Sequence, residues 1–114
     1  MGVESRLKGV NVVLAPVAGA LGRAPAAGRG WESFGADPWL NGVGNRESVR
    51  GLQDEGVIAC AKHWVANEQE KYRLVFETFL YGLVWKSLDS RVTQRALREV
   101  YEWPFADAIE AGAG

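Results

Sequence analysis

Residues that can bind a polyhydroxylated ligand are concentrated in two short segments of the sequence. The first segment carries Arg29, Trp31 and Glu32, and the second is the tripeptide Lys62-His63-Trp64. Guanidinium, ammonium and neutral imidazole groups can each hydrogen-bond a sugar hydroxyl, while an indole ring can cover the apolar face of a pyranose. A lone histidine is more often structural, and scattered arginines and lysines usually lie in solvent, so the position of these residues in the fold must decide between the two interpretations.

Two short apolar runs and a helical pattern between them predict how the two segments are positioned. Residues 9–16 and 57–61 are β-branched runs too short for helices, as is typical of buried parallel strands. Between them, Asp37-Pro38 predicts an N-cap followed by the first helical residue, and Gly56 predicts the end of that helix. Apolar residues of this helix follow at Trp39, Leu40, Val43, Val49 and Leu52.

A strand, a helix and a second strand of these lengths normally form a parallel crossover. In such α/β folds the ligand binds at the carboxyl ends of the strands, on the loops that lead into the helices. The connection over residues 16–36 and the segment beginning at Lys62 both leave this edge. We therefore expect Arg29, Lys62 and His63 to lie close together at one rim.

The C-terminal half of the sequence is less decisive. Residues 74–85 are densely apolar, and their pattern fits a buried helix or a strand pair broken at Gly82, of which we favour the helix. Asp89 or Ser90 is expected to cap a last helix, kinked at Pro104 and ended by Gly112. The residues of this helix expected to face inward are Ala96, Leu97, Val100, Tyr101, Phe105, Ala108 and Ile109.

Composition excludes several classes of function. The 114 residues carry a formal charge of -1, so no basic field exists to attract nucleic acid or an anionic membrane, and neither partner is expected. A single cysteine, Cys60, and a single histidine, His63, cannot form a disulfide framework or a cysteine- and histidine-rich metal site. Gly19, Gly22 and Gly28 do not have dinucleotide-binding spacing. Neither a cysteine- or histidine-based metal site nor a dinucleotide-binding loop is therefore expected.

Several motifs occur in an order that resembles one known family. They are the run Lys8-Gly-Val-Asn-Val-Val-Leu-Ala-Pro16, Gly28-Arg-Gly-Trp-Glu32, Gly56-Val-Ile-Ala-Cys-Ala-Lys-His63, Asn67-Glu-Gln-Glu70 and Trp103-Pro-Phe-Ala-Asp-Ala108. The chain closely resembles the N-terminal (β/α)8 domain of the β-glucosidases of glycoside hydrolase family 3. The resemblance implies an α/β fold in which residues 1–114 form part of a (β/α)8 (TIM) barrel, with parallel strands and crossover helices.

The resemblance also implies which residues bind substrate. Arg29, Lys62 and His63 match residues that hold the glucosyl unit where the bond is cut, and Arg73 is a further candidate. A cis peptide is implied at Lys62-His63. Glu32 is expected to brace its loop, and no catalytic residue is expected in the chain, because both catalytic carboxylates of the family come from later segments. Residues 74–87 depart from the polar loop of relatives, which leaves the shape of that pocket wall open.

The implied function is that of a fragment of a retaining β-glucosidase, which removes terminal β-D-glucose from a β-glucoside or cello-oligosaccharide. The resemblance implies that this reaction needs no metal and no organic cofactor. The parent enzyme is expected to be secreted, and the compartment of the fragment stays open. The open edges of a partial barrel are expected to favour self-association. Two alternatives stay open: a non-catalytic carbohydrate-binding or interaction module, and a truncated product without a function of its own. Reading the encoding gene through both ends would separate them.

Overall fold

A computed structural model describes residues 1–19, 29–67, 89 and 91–114 of the chain. The predicted apolar segment 74–85 lies outside these residues. The described elements, in chain order, are helix α1 (Gly2–Leu7), strand β1 (Val12–Val13), a 3₁₀ turn (Gly30–Glu32), helix α2 (Pro38–Gln53), strand β2 (Ile58–Ala59), helix α3 (Gln94–Ala96), a π-helical turn (Leu97–Tyr101) and helix α4 (Trp103–Glu110).

The two strands pair in parallel, with Val12 opposite Ile58 and Val13 opposite Ala59. An isolated parallel bridge between Val17 and Lys62 continues the pairing. The ladder is shorter than the predicted strands, because the Val10 N–H donates to the Ser5 carbonyl at 2.9 Å and Pro16 has no N–H to donate. The predicted α/β class, with parallel strands joined through a helix, is confirmed.

Helix α2 follows its local sequence signals. The Asp37 carboxylate accepts hydrogen bonds from the Trp39 and Leu40 N–H groups at 2.8 and 3.2 Å, and Pro38 occupies the first helical position. Gly56 adopts a φ of +74°, a left-handed conformation that most other residues avoid, and the chain turns there into β2. The predicted cap and stop of this helix are both confirmed.

The core lies between the C-terminal half of α2, the strand pair and α4. It consists of the buried side chains of Val49, Leu52, Val57, Ala59 and Ala108. The other predicted apolar residues of α2 do not reach it, since Trp39, Leu40 and Val43 are exposed. The apolar stripe of α2 therefore contributes to this core only in its second half.

Polar contacts hold α2 and α4 side by side. Arg46 forms an ion pair with Asp107 and lies 3.3 Å from a carboxylate oxygen of Glu110. Gly42 allows this approach, because a Cβ there would collide with the Asp107 carboxylate. Gln53 then ties the helix to the strand, accepting from the Ala59 N–H at 2.8 Å and donating to the Gly112 carbonyl at 2.7 Å.

The C-terminal helix differs from its prediction in where it begins and how it is divided. Thr93, rather than Asp89, is the N-cap of α3, since its hydroxyl accepts from the Ala96 N–H at 3.2 Å, while Asp89 pairs with Arg91. Ser90, the other predicted cap, lies outside the described residues. The helix is interrupted before α4, whose first turn contains Pro104. Proline cannot donate to a preceding carbonyl, so the predicted kink is instead a break.

The predicted inner face of α4 is right at two positions and wrong at a third. Phe105 and Ala108 are buried, and Gly112 ends the helix with a φ of +96°. Ile109 is 67% exposed, because a residue next to Ala108 turns away by about 100° on a helix. Helix α1 has no counterpart in the sequence predictions, since its six residues carry too few apolar positions to show a period.

Candidate functional site

Lys62 is fixed at the carboxyl end of the second strand by its backbone. Its N–H donates to the Pro16 carbonyl at 3.0 Å, and its carbonyl accepts from the Ala18 N–H at 2.7 Å. The peptide between Lys62 and His63 is cis, as the family resemblance implied, and cis peptides also occur at Ala15-Pro16 and Trp64-Val65. The segment that carries the candidate residues is thus joined directly to the end of the first strand.

Glu32 brings Arg29 and Lys62 together. The Arg29 Nε and Nη2 atoms lie 2.6 and 2.9 Å from the two carboxylate oxygens, forming a bidentate pair. The Lys62 Nζ lies 3.2 Å from Oε2 of the same carboxylate. The two predicted cations, 33 positions apart in sequence, therefore share one anion at the rim of the sheet. Glu32 braces its loop through Arg29, as expected, and it also contacts Lys62, which follows the second strand.

The two cations change the titration of Glu32. The hydrogen bond from Arg29 lowers its pKa most, partial burial opposes this, and Lys62 lowers it further, so the pKa falls from 4.5 to about 2. Because the folded pKa is the lower one, this contact stabilises the fold fully above pH 4.5, and the contribution is lost as the pH falls towards 2. Glu32 is therefore a carboxylate at any physiological pH.

Two exposed tryptophans are neighbours in sequence of the residues that form the ion pairs. The Trp31 ring is 83% exposed beside Glu32. Trp64 is also largely exposed, and its ring meets the buried Phe105 ring edge-on, with centroids 5.0 Å apart and an interplanar angle of 83°. Phe105 of α4 thus supports the residue that follows Lys62-His63, a contact that the spacing of these residues in sequence did not indicate.

Asn41 of α2 holds the loop that follows Glu32. Its side chain is fully buried, accepts from the Phe34 N–H at 3.1 Å, and donates to the Gly35 and Asp37 carbonyls at 2.7 and 2.8 Å. Sequence reasoning missed this residue, because asparagine in a helical stretch has no distinctive pattern. One signal was available: polar Asn41 and Asn45 stand at helical spacing on the face that also carries Val49 and Leu52.

An open cleft of about 630 Å³ adjoins the site. Trp31, Glu32 and Lys62 line it together with apolar residues from the first strand region and the flanking helices, which are Met1, Leu14, Ala15, Pro16, Val17, Phe34 and Leu52. This volume is in the range of small-ligand sites. A largely apolar wall with a few convergent charged groups suits a ligand that has both hydroxyls and an apolar ring face.

Three further features were considered for the site: Arg73, metal ligands and a membrane-spanning helix. Arg73 lies outside the described residues. Within residues 1–19, 29–67, 89 and 91–114, no three His, Cys, Asp or Glu side chains are grouped so that they could hold a metal ion. In the same part of the chain, no helix is long and apolar enough to cross a membrane.

The fold and the site place the chain among α/β proteins whose ligands bind at the carboxyl ends of parallel strands. Comparison with known sequences is more specific. Residues 1–114 match the Glycosyl hydrolase family 3 N terminal domain, and the chain belongs to this family.

Relatives and solved structures agree with this assignment. The chain is 54% identical over 111 residues to a protein named probable β-glucosidase E from Aspergillus oryzae, covering 97% of this chain and 10% of the relative. A Chaetomium thermophilum β-glucosidase structure superposes with a TM-score of 0.87 at 53% identity, covering 99% of this chain and 13% of that one. β-Glucosidase 3B from Thermotoga neapolitana, solved in complex with α-D-glucose, gives a TM-score of 0.79 at 40% identity over 97% of this chain and 14% of that one.

Proposed function

We propose that this chain is part of a retaining β-glucosidase, in which Arg29, Lys62 and His63 bind the terminal glucosyl unit of a β-glucoside or cello-oligosaccharide. The observation that carries the proposal is the junction of Arg29 and Lys62 at Glu32, at the ends of two parallel strands, in a chain that belongs to glycoside hydrolase family 3. Support also comes from the Thermotoga neapolitana relative, whose structure contains glucose.

The side chains of Lys62, Glu32 and Trp31, which line the cleft, have distinct parts in this proposal. Lys62 contacts Glu32 with one of its three ammonium N–H groups, which leaves two to donate to sugar hydroxyls. The carboxylate of Glu32 can accept from a hydroxyl, since it also lines the cleft. The exposed Trp31 ring beside it offers an apolar surface for a pyranose. Arg73, which matches an arginine of relatives, belongs to the same proposed subsite.

In the proposed reaction of the complete enzyme, a carboxylate attacks the anomeric carbon, an acid protonates the leaving oxygen, and water resolves the glycosyl-enzyme. The residues of this chain would contribute by holding and orienting the sugar. The chain spans only 10 to 14% of the relatives it matches. It is therefore proposed to form one part of the family's N-terminal domain and to carry no catalytic carboxylate.

Replacing Lys62 with alanine tests the binding role. We expect the affinity of the purified chain for glucose to fall at least tenfold, because a hydrogen bond to a charged group contributes about 1.5–3 kcal/mol. Titration calorimetry or ligand-observed NMR measures this change. Lys8→Ala is the matched control, since Lys8 also pairs with a glutamate, at 2.6 Å, but lies in solvent just after α1. Equal glucose affinity in wild type and Lys62→Ala would contradict the proposed role.

We also propose that the chain self-associates through the sheet face opposite α2. Val12 and Ile58 are exposed there, at 48 and 46%, because their neighbours Val13 and Ala59 pack into the core, so this face is an apolar patch on a two-stranded sheet. We expect the mean mass in sedimentation to rise with concentration, and a hydrophobic dye to bind. Val12→Lys should reduce both signals, whereas Leu7→Lys on the exposed side of α1 should not. A sharp monomer at high concentration without dye signal would be evidence against this surface.

A further inference from the structure

The candidate site contains one anion as well as two cations, and all three groups are in contact. Glu32 lies within 2.6 to 3.2 Å of Arg29 and Lys62, so the three side chains together carry a charge of +1 rather than +2. The side chains of Glu32 and Lys62 are 17 and 24% exposed. Their charges are therefore screened less by water than those of surface pairs.

The carboxylate is also presented to a ligand. Glu32 and Lys62 both line the cleft, so a group that approaches the ammonium meets the carboxylate next to it. A sugar hydroxyl suits both neighbours, because it can accept from the ammonium and donate to the carboxylate. A carboxylate or phosphate group suits only the ammonium, since it has no proton for Glu32 and is repelled by its charge.

We propose that Glu32 is a specificity-determining residue, which makes the site select neutral sugars against anionic sugars such as glucuronate. The inference rests on the proposed sugar-binding function and adds the charge class of the ligand. Selectivity is the difference between the affinities for two ligands, and the Glu32 carboxylate changes both affinities. It adds acceptor atoms for a neutral sugar, and it offsets the positive field that would otherwise attract an acidic one.

The Glu32 carboxylate stays ionised throughout the pH range in which sugar binding would be measured. Its pKa of about 2, set mainly by the Arg29 hydrogen bond, keeps it ionised at neutral and mildly acidic pH. The bidentate contact with Arg29 fixes its orientation. Selection against anions would therefore be a fixed property of the site.

The test compares glucose and glucuronate binding to the purified wild type and Glu32→Gln chains by calorimetry at pH 7.5. We expect Glu32→Gln to lose at least tenfold in glucose affinity and to gain at least tenfold in glucuronate affinity. A merely structural role would weaken both ligands together, so that result would overturn the proposal, as would unchanged affinities. Glu47→Gln is the matched control, because Glu47 pairs with Arg50 three residues on at 3.2 Å, but in solvent.

A second variant separates charge from folding. Glu32→Asp keeps the negative charge but shortens the side chain, so it should still reject glucuronate even where glucose binding weakens. Glucuronate binding by Glu32→Asp as tight as glucose binding would overturn the proposal, even if Glu32→Gln does not fold. If the wild type binds no glucose but Glu32→Gln still gains glucuronate affinity, the proposed glucose-binding function fails while the charge selection stands.

Discussion

Replacing Asn41 with leucine is expected to lower the free energy of unfolding by about 3–5 kcal/mol. Leucine is similar in size but has no donor or acceptor. The substitution therefore leaves the Phe34 N–H and the Gly35 carbonyl without their partner in a place where the asparagine side chain is fully buried. It also removes one of the two donors to the Asp37 carbonyl, which keeps its bond from the Asn41 backbone N–H at 3.0 Å. Each abandoned polar group costs about 1–3 kcal/mol where water cannot replace the bond.

Urea unfolding followed by circular dichroism measures this change. Asn11→Leu is the control, because Asn11 is exposed just before β1, and this substitution should change the free energy of unfolding by less than about 0.5 kcal/mol. Asn41→Asp should also be destabilising, since it sets a negative charge beside two carbonyl oxygens. An Asn41→Leu chain within 1 kcal/mol of wild type would show that the loop is held by other contacts.

Asn41→Leu should also weaken ligand binding at the candidate site. The loop that Asn41 holds begins directly after Arg29, Trp31 and Glu32, so a loosened loop lets the carboxylate move away from Lys62. We expect glucose binding to weaken in Asn41→Leu even under conditions where the variant is still folded. Local polar packing in α2 is thus a requirement for the geometry of the rim.

Features of the fold that depend on local chemistry were predictable. Asp37, Pro38 and Gly56 act through their own backbone and the next turn, so their types alone place both ends of α2. The parallel pairing was predictable because short β-branched runs on either side of a helix have few alternatives. The family resemblance added the cis peptide at Lys62-His63, which no local pattern of these two residues indicates.

Features for which several neighbouring residues carry the same sequence signal were not predictable. Asp89, Ser90 and Thr93 are all good N-cap residues, so only the packed structure decides that Thr93 is the residue that caps α3. Ala108 and Ile109 were both expected inside because both are apolar, yet only Ala108 of the two is buried. In the site, strand topology predicted that Arg29 and Lys62 approach each other. Their shared contact with Glu32 depends on side-chain lengths and rotamers that a sequence does not specify.

The isolated chain is expected not to hydrolyse β-glucosides. Retaining hydrolysis needs two carboxyl groups about 5 Å apart across one sugar, one ionised as nucleophile and one protonated as acid. Glu32 is the described carboxyl group that lies at the rim, and its oxygens are held by Arg29 and Lys62. Glu47, Asp54 and Glu55 belong to α2 or the turn after it, and Asp107 and Glu110 belong to α4.

The titration of Glu32 excludes it as the acid. With a pKa of about 2, roughly one molecule in a thousand carries the proton at pH 5, so Glu32 is a poor proton donor to a leaving oxygen. As a nucleophile it would have to abandon a bidentate arginine contact, which stabilises the carboxylate before any attack. Its contacts thus favour binding and charge balance over covalent chemistry.

Release of nitrophenol from its β-glucoside by the purified chain measures this prediction, and we expect no rate above that of buffer. Glu68 and Glu70 lie outside the described residues and are the remaining carboxyl groups close in sequence to Lys62 and His63. Turnover that increases with chain concentration, persists after repurification and disappears in Glu32→Gln or Glu70→Gln would place a catalytic carboxylate within these 114 residues. Glucose binding without turnover would instead show that the chain binds sugar but does not catalyse its hydrolysis. Contacts that are equally strong in the bound sugar and in the transition state give affinity but no rate acceleration.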